Sequence, residues 1–595
     1  MSGSVTSERF GMSQAFRRAL LLSLVLKAVL AILFADIPPH YDEIEFLDFG
    51  ANIAFNGGSP VLWRAPGYQW FLAAGLLAGG GSTVLIRLVQ VLLSVAGSFI
   101  AYRIGKRIWN EAAGLAAGIF LGFYPSQVAL SHLLWSETLY VFLTLLAFER
   151  LLAADEDGSL PAGLTAGLMM AAAALTRSTA VLLMLTSFLW LLTAHRGLSR
   201  LKLAATFLGG GLLLILPWSL WAGNVAGRPV LIDTNAGFNL WSGSNRYIPD
   251  DLQGVWSVGH LQDNGLDPEL TEFLPGDRWR AETPWRMQQD GVTDPHGPDG
   301  ENWYRARALD AVRGDPVGFL ARIPAKLAAF WAPDFFLPRH LVRDWYGRTP
   351  AGLALFLVLL TWAAAAIPLL AGPAALTFPG RSRFRSLALV WIGTYLATVV
   401  LAYGHTRMHQ PLIPILVLAV AGVAFGDGRP SVWRRVSIRA APVTLIILAA
   451  WIYILPVVGG VYMAPGPRHA ITARMLGTAR HLPLPGSRRL AWMLASVEAS
   501  MGREERADRI LSESRFAEDP WSLYLRARVS RSGAERERLL SESVQADPEL
   551  FAAWYALGLT RIQAGDYKGA RAALYRAGRI RPWDPRVEQA YSRMR

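Results

Sequence analysis

Residues 201–222 read LKLAATFLGGGLLLILPWSLWA, and Lys202 is the only charged residue among them. A helix that crosses a bilayer needs roughly 20 consecutive, largely apolar residues. This segment is therefore predicted to span a membrane. Other segments of the chain have the same apolar character: 17–36, 83–104, 111–130, 133–153, 161–176, 178–195, 351–371, 386–403, 410–426 and 440–462. The sequence thus predicts an all-α polytopic membrane protein with about eleven transmembrane helices.

The overall composition agrees with this prediction. Of the 595 residues, 52% are hydrophobic and 17% are charged, whereas an ordinary soluble domain carries roughly 25% charged residues. The chain has 58 Lys and Arg against 45 Asp and Glu, for a net charge of +13. It contains no cysteine, which excludes a disulfide framework, a thiol nucleophile and an iron–sulfur cluster.

The basic residues indicate how the chain is oriented in the membrane. They cluster next to alternate ends of the predicted spans: Arg9, Arg17, Arg18, Lys106, Arg107, Arg196, Arg200, Lys202, Arg381, Arg383, Arg385, Arg429, Arg434, Arg435 and Arg439. Cytoplasmic loops carry the excess of Lys and Arg, so the pattern predicts a cytoplasmic N-terminus. Segments 37–82, 223–350 and everything after 463 then lie outside. This topology accounts for most of the positive charge, and no nucleic-acid partner is predicted.

Two domains are expected. The membrane domain covers 1–463, and its loop 223–350 is too long for a simple connector, so we expect a folded extracytoplasmic subdomain with short helices at 301–313 and 316–331. After Pro465-Gly466-Pro467 the composition becomes that of a soluble helical segment, predicted as a second domain at 468–595. Many short segments rich in Ala, Leu, Gly and Arg favour a bacterial inner (plasma) membrane.

The second domain carries a repeat pattern. Between 551 and 582, the residues at tetratricopeptide positions are Trp554, Leu557, Gly558, Gly565, Tyr567, Ala570, Leu574, Ala577 and Pro582. Two degenerate copies precede it, one between Trp492 and Pro520 and one between Trp521 and Pro548. The pattern predicts a C-terminal α-solenoid of the tetratricopeptide type, which binds proteins or peptides. A helical hairpin array without a partner is the alternative.

The first outer segment contains the densest cluster of acids. It begins HYDEIEFLDF at residues 40–49, where Asp42, Glu43, Glu45 and Asp48 fall within seven residues next to the membrane surface. Acids this close raise one another's proton affinity unless a cation is near, and sites that move protons often have this character. Apolar residues recur at helical spacing from Ile44 to Phe55, which predicts an interfacial helix. The alternative is that the acids only end a membrane helix.

Motifs in the same order resemble the glycosyltransferase-C superfamily, most of all the protein O-mannosyltransferase and aminoarabinose-transferase group (the family 39 type). After Asp42-Glu43 they are Arg64-Ala65-Pro66-Gly67-Tyr68, Ser136-Glu137-Thr138, Thr176-Arg177, Pro217-Trp218, a segment with Asn235, Asn239 and Gly243-Ser244-Asn245, and Arg407-Met408-His409-Gln410-Pro411. The resemblance covers roughly 15–425 and leaves out the tail. This chain departs from it at Gly223, where relatives have Arg before Asn, and at Met408, where an aromatic residue is usual.

The resemblance implies an enzyme that takes its sugar from a polyprenyl phosphate on the outer face. Asp42 is then the base that removes a proton from the acceptor hydroxyl, with Glu43 and Glu137 as further catalytic acids. Inversion at the anomeric carbon follows from direct displacement of phosphate. The implied residues that bind the substrate, chiefly the lipid phosphate, are Arg64, Tyr68, Arg177, His405, Arg407 and His409. A protein, lipid or polysaccharide hydroxyl is equally compatible as acceptor, and the sugar itself is open.

No cofactor is predicted. A divalent cation on His40, Asp42, Glu43 and Glu137 is chemically compatible, but their spacing matches no known metal site, and we predict no metal. Two other functions remain open at this point. One is a transporter or flippase of lipid-linked intermediates, although residues 17–462 show no internal repeat. The other is an inert membrane scaffold that presents the tail to a protein partner.

Overall fold

The computed structural model describes residues 13–40, 42–193, 198–244, 283–342, 344–377, 382–426, 441–452 and 487–594. Every regular element in these parts is helical, so the predicted all-α membrane fold is confirmed. The predicted domain boundary near 463–468, with Pro465-Gly466-Pro467, lies outside the described residues. So do residues 245–282 of the large loop and the basic residues Arg9, Arg196, Arg381 and those at 429–439.

The helices of the first half are α1 Gln14–Leu33, α2 Asp42–Phe55, α3 Pro66–Ala78, α4 Val84–Ile108, α5 Glu111–Phe123, α6 Pro125–Leu130, α7 Glu137–Asp157, α8 Leu160–Thr176, α9 Ala180–Leu192, α10 Leu198–Ala226 and α11 Ala236–Ser244. The large loop continues with α12 (283–289), α13 Pro298–Gly314, α14 Pro316–Ala321, α15 Ile323–Trp331 and α16 Phe336–Val342.

Later elements are α17 Ala351–Ala366, a π-helical turn Ile367–Ala371, α18 Gly372–Ala375, α19 Ser382–Leu401, a 3₁₀ helix Thr406–Leu412, α20 Ile413–Phe425 and α21 Ala441–Ile452. The tail contains α22 Ser487–Ser500, α23 Glu504–Ser512, α24 Pro520–Val529, α25 Gly533–Ala546, α26 Phe551–Gln563, α27 Tyr567–Ile580 and α28 Pro585–Ser592.

In the described residues, five helical segments are long and apolar enough to cross a membrane: Val84–Ile108, Leu198–Ala226, Ala351–Ala375, Arg383–Leu401 and Thr406–Phe425. The shorter apolar helices are Glu111–Phe123, Leu160–Thr176, Ala180–Leu192 and Ala441–Ile452. Among the remaining candidates, α1 carries Arg17, Arg18 and Lys27, and α7 carries Glu137, Glu149 and Arg150. The chain is an integral membrane protein, and the count of eleven spans stays a prediction.

Two predicted spans differ from the helices observed. The segment 111–130 is two helices, because the backbone leaves the helix at Tyr124 and Pro125 then opens the short helix α6. The segment 133–153 becomes helical only at Glu137, after a turn at 131–136. This late start places the Glu137 carboxylate at a helix N-terminus, where the helix dipole favours negative charge.

Small residues let the membrane helices approach closely. A Cβ at Gly167 of α8 would lie 2.0 Å from the carbonyl oxygen of Phe207 in α10, and one at Gly105 of α4 would lie 2.7 Å from the Cα of Gly114 in α5. Membrane helices associate through such packing because lipid tails provide no hydrophobic drive between them. These contacts pack α8 closely against α10 and α4 closely against α5.

The outer segments fold onto one another. Helices α2 and α3 of the segment 37–82 pack side by side, and α3 was not anticipated from the sequence. Trp63 lies in a buried apolar cluster with residues from the large loop, which are Trp241, Met287, Trp303, Tyr304 and Ala308. The predicted helix 301–313 is present as α13, whereas 316–331 is divided into α14 and α15 at Arg322.

Consecutive helices of the tail pack on one another from α22 to α28. In the pair α26–α27, Gly565 has a φ of +80° in the connecting turn, and Ala570 and Ala577 are fully buried. Trp583 packs against Trp285 of the large loop with ring centroids 5.2 Å apart, so the tail contacts the large loop. The helix pair predicted at 551–582 is present, and its tetratricopeptide assignment stays a prediction.

Gly243 provides a test of this packing. A Cβ there would lie 1.5 Å from the carbonyl oxygen of Ala402, just beyond α19, so α11 must shift to admit it. We expect Gly243→Ala to lower the free energy of unfolding by about 1–3 kcal/mol, the usual cost of overpacking. Thermal unfolding in detergent measures it. Gly393→Ala in α19, where nothing lies within 4 Å, is the control and should not lower the midpoint. Equal midpoints for both variants would contradict this packing.

Candidate active site

A cavity of about 230 Å³ lies between the first outer segment, the large loop and the end of α19. Five residues predicted from the sequence line it: Asp42, Arg64, Arg177, His405 and Arg407. The rest of its wall consists of Phe46, Ala65, Trp135, Ser136, Thr176, Ser178, Thr179, Asp233, Asn235, Asn239, Phe336, Arg339, Thr398, Ala402, Tyr403 and Met408. The structure therefore brings together segments that are more than 350 residues apart in the chain.

Arg407 lies at the centre of this site. Its guanidinium donates through one terminal nitrogen to Asp42 and through Nε to Glu137 Oε1, at 2.5 Å. Trp135 covers the group, with the guanidinium carbon 4.6 Å from the ring centroid. The 3₁₀ helix fixes the start of the side chain, because the His405 Nδ1 accepts the backbone N–H of Arg407. His405 therefore acts on this site as a cap of the helix that carries Arg407.

Glu137 accepts hydrogen bonds from two arginines. Arg177 ends α8 and donates to Glu137 Oε1 at 2.7 Å and to the Ser136 hydroxyl at 3.3 Å. Glu137 is 1% exposed, and its Oε2 accepts no hydrogen bond from the described residues. A buried carboxylate is costly unless cations compensate it, so Glu137 depends on Arg177 and Arg407.

The four acids of α2 have separate environments. Asp42 pairs with Arg407, and Glu45 pairs with Arg64 at 2.6 Å. Glu43 is buried away from the cavity and accepts the backbone N–H groups of Leu134 and His40 at 2.8 and 3.1 Å. Asp48 is exposed. The four acids therefore have different surroundings, and Asp42 is the acid of α2 that lines the cavity.

Asp42 is held in its ionised form. Burial raises the pKa of its carboxyl, but the positive charges of Arg407 and Arg64 outweigh burial and keep that pKa below its usual range. A carboxylate in this state has little affinity for a proton while Arg407 is paired with it. Any ligand that draws Arg407 away would raise the proton affinity of Asp42.

Four residues predicted for the site do not line the cavity. One is Glu137, which is buried and pairs with Arg177 and Arg407. Glu43 holds the turn at 131–136, as described above. Tyr68 is fully buried and donates its hydroxyl to Gln90 Oε1 at 2.8 Å. His409 is also fully buried, and its Nδ1 lies 2.6 Å from the carbonyl oxygen of Phe330. These side chains join the elements that form the walls.

Other residues of the wall carried no predicted role. Asp233, Arg339 and Tyr403 were not singled out from the sequence, and Asn235 and Asn239 appeared only as part of a motif. An acid in the apolar run Pro229-Val230-Leu231-Ile232-Asp233 was the available signal for the first of them. In the described residues, no group of three or more His, Asp or Glu is arranged to hold a metal ion.

Asp233 provides a test, because its carboxyl should make the stability of the protein depend on pH. Burial raises the pKa of its carboxyl from 3.8 to about 6, Glu301 adds to this, and Arg64, the Ser178 hydroxyl and the Asn235 N–H oppose it. A raised pKa favours the folded state below pH 3.8, and this contribution is lost as the pH rises through about 6. Asp233→Asn should therefore be more stable than wild type at pH 8, by at most about 3 kcal/mol before solvent screening.

Thermal unfolding in detergent at pH 8 and at pH 4 measures the difference in stability between Asp233→Asn and wild type. The advantage of the variant should shrink as the pH falls. A difference that is the same at both pH values would contradict a raised pKa for Asp233. Asp310→Asn, at an exposed acid of α13, is the matched control for the change from Asp to Asn.

Part of the chain matches a known protein family. Residues 63–221 match the family described as dolichyl-phosphate-mannose-protein mannosyltransferase. No curated protein matches the chain. Among solved structures, ArnT from Cupriavidus metallidurans bound to undecaprenyl phosphate is similar at 13% identity and a TM-score of 0.40, over 84% of this chain and 80% of that one.

The archaeal oligosaccharyltransferase AglB from Archaeoglobus fulgidus, in complex with an inhibitory peptide and a dolichol-phosphate, is similar at 11% identity and a TM-score of 0.36, over 92% of this chain and 72% of that one. The Archaeoglobus fulgidus oligosaccharyltransferase in the apo form is similar at 13% identity and a TM-score of 0.39, over 94% of this chain and 73% of that one. Similarities this low carry no argument about activity. The family match over 63–221 begins at Trp63 and includes Arg64, Glu137 and Arg177. On that segment, the predicted resemblance to the protein mannosyltransferase family is confirmed.

Proposed function

We propose that the chain transfers a sugar from a polyprenyl phosphate to an acceptor hydroxyl in this cavity. The observation that carries the proposal is that Asp42, Arg177 and Arg407 line one cavity of a membrane protein, with both arginines paired to the buried Glu137. Dolichyl-phosphate-mannose, named in the family's description, is a sugar on a polyprenyl phosphate and belongs to this donor class.

The lipid phosphate would bind to Arg177 and Arg407. Guanidinium groups suit a phosphate because they are planar, permanently charged and able to donate two parallel hydrogen bonds. Both arginines already donate to carboxylates, so an incoming phosphate competes for donors that face the cavity. Arg64, which pairs with Glu45 at the rim, adds positive charge near the same site.

Binding of phosphate would also prepare the base. When Arg407 turns to the phosphate, Asp42 loses the charge that depresses its pKa and becomes a better proton acceptor. The acceptor hydroxyl then gives its proton to Asp42 as its oxygen forms a bond to the anomeric carbon. The bond from that carbon to the phosphate oxygen breaks, and its electron pair stays on the phosphate. Attack from the opposite side inverts the anomeric configuration.

The other parts have defined roles in this scheme. Glu137 keeps Arg177 and Arg407 oriented through its Oε1, as a positioning residue. The arginines supply the charge that stabilises the leaving phosphate, so the scheme requires no metal ion. We place the reaction on the periplasmic face of a bacterial inner membrane, with a protein, lipid or polysaccharide acceptor. The tail beside the large loop would bind a protein partner.

Asp42→Asn tests the proposal. An amide of the same shape still accepts a hydrogen bond from Arg407 but takes no proton, so we expect transfer to fall by about 10²–10⁴-fold. The measurement is transfer of label from a panel of radiolabelled polyprenyl-phosphate sugars to total membrane material. Asp48→Asn, an exposed acid on the same helix, is the matched control and should keep wild-type activity.

Equal transfer by wild type and Asp42→Asn would show that Asp42 is not the base, while the proposed transferase activity would stand. No transfer by wild type from any donor, with the protein folded and inserted, would contradict the proposal and favour a transporter or a scaffold. The fraction that receives label in the wild-type sample, whether lipid, protein or polysaccharide, identifies the class of acceptor.

A further inference from the structure

One wall of the cavity is polar and is not used by the scheme above. It is formed by Ser178, Asp233, Asn235 and Asn239, which come from the turn after α8 and from the segment around the start of α11. We propose that Asp233 and Asn235 bind the hydroxyl groups of the transferred sugar and so determine which sugar is accepted. This inference rests on the proposed function and assigns the donor sugar its place.

Asn235 provides the first observation. It is 8% exposed, lines the cavity, and its side-chain oxygen has no hydrogen-bond partner among the described residues. A buried polar atom without a partner costs about 1–3 kcal/mol, so such atoms are rare unless a ligand or water satisfies them. A ligand in the cavity that donates a hydrogen bond would remove this cost.

Asp233 provides the second observation. Its carboxylate accepts the backbone N–H of Asn235 at 3.4 Å, and Ser178 nearby lowers the pKa of the acid. An ionised carboxylate has about four acceptor sites, so capacity for other donors remains. Its negative charge disfavours a phosphate at this wall. Sugar hydroxyls, which donate hydrogen bonds and carry no charge, match both residues.

The positions of the two walls fit a sugar joined to a phosphate. Arg177 and Ser178 are neighbours in the chain, so their Cα atoms are about 3.8 Å apart. The Arg177 guanidinium donates to Glu137, while Ser178 lies near Asp233 and lowers the pKa of its carboxyl. Arg177 and Asp233 line the same cavity, so an anion bound at Arg177 and a hydroxyl-bearing ring bound at Asp233 would share it, as the two halves of one glycosyl phosphate require.

The distribution of charge in the cavity also fits a sugar joined to a phosphate. Arg177 and Arg407 make one part attractive to an anion, and Asp233, with Glu301 acting on it from α13, makes the other part attractive to donors. A glycosyl phosphate has this polarity, with its charge at the phosphate and its hydroxyl groups on the ring. A site for bare lipid phosphate would need only the first part.

The test compares binding of two kinds of lipid in nanodiscs. The first kind is undecaprenyl phosphate itself. The second kind is undecaprenyl phosphate that carries a sugar, which is a neutral hexose, an N-acetylhexosamine or an aminopentose. For wild type, we expect at least one glycosylated lipid to bind about tenfold more tightly than the bare lipid. Asp233→Asn and Asn235→Ala should lose that preference and keep the affinity for undecaprenyl phosphate. Arg177→Ala should weaken both, and Asp310→Asn on α13 is the control that changes neither.

The outcomes separate this inference from the proposed function. If wild type binds undecaprenyl phosphate but no glycosylated form more tightly, or if Asp233→Asn and Asn235→Ala weaken both lipids equally, the sugar subsite is wrong and the phosphate site stands. If wild type binds none of these lipids, the proposed function itself is contradicted. Two variants are used so that a folding defect in one of them does not decide the result.

Discussion

The Arg407 guanidinium between Asp42 and Glu137 is the interaction on which the candidate site depends. It joins the first outer helix, the start of α7 and the 3₁₀ helix before α20, three elements far apart in the chain. Removing the arginine would leave Glu137 buried with one remaining cation, and removal of one partner from a buried ion pair typically costs about 3–5 kcal/mol. The other elements of the fold hold these three elements next to one cavity.

Such a cluster adds little net stability to a protein, because the free-energy cost of burying its charges offsets their attraction. Well-packed apolar residues often replace a buried ion network without loss of stability, so the network is better explained by what it binds. The same applies to Asp233, whose burial raises its pKa and destabilises the folded protein at neutral pH. Groups that are costly in the free protein and complementary in charge to a glycosyl phosphate are consistent with the proposed function.

Much of this could be predicted from the sequence, because the signals were local. Apolar runs of membrane length gave the fold class, and the motifs around Asp42, Arg64, Arg177 and Arg407 marked residues that the structure brings to one cavity. The helix breaks at Tyr124 and before Glu137 interrupt apolar runs that read as continuous in the sequence. They depend on how the segment packs against its neighbours.

Tertiary packing also explains why some predicted site residues do not line the cavity. Glu43 is adjacent to Asp42 in the chain, but consecutive helix residues point about 100° apart, so one carboxylate reaches the cavity and the other binds the backbone of Leu134. Tyr68 and His409 carry the polar atoms expected of site residues, and tertiary contacts use those atoms inside the walls. Asp233 was overlooked because its partners, Ser178 and Arg64, are distant in sequence.

The central claim is that a lipid phosphate takes Arg407 from Asp42. Its most direct test is a cryo-EM structure of the protein in nanodiscs with undecaprenyl phosphate. The account predicts phosphate oxygens within hydrogen-bond distance of Arg177 and Arg407, with Asp42 released from Arg407 and facing the cavity. A phosphate bound elsewhere, with Arg407 still paired to both Asp42 and Glu137, would contradict it.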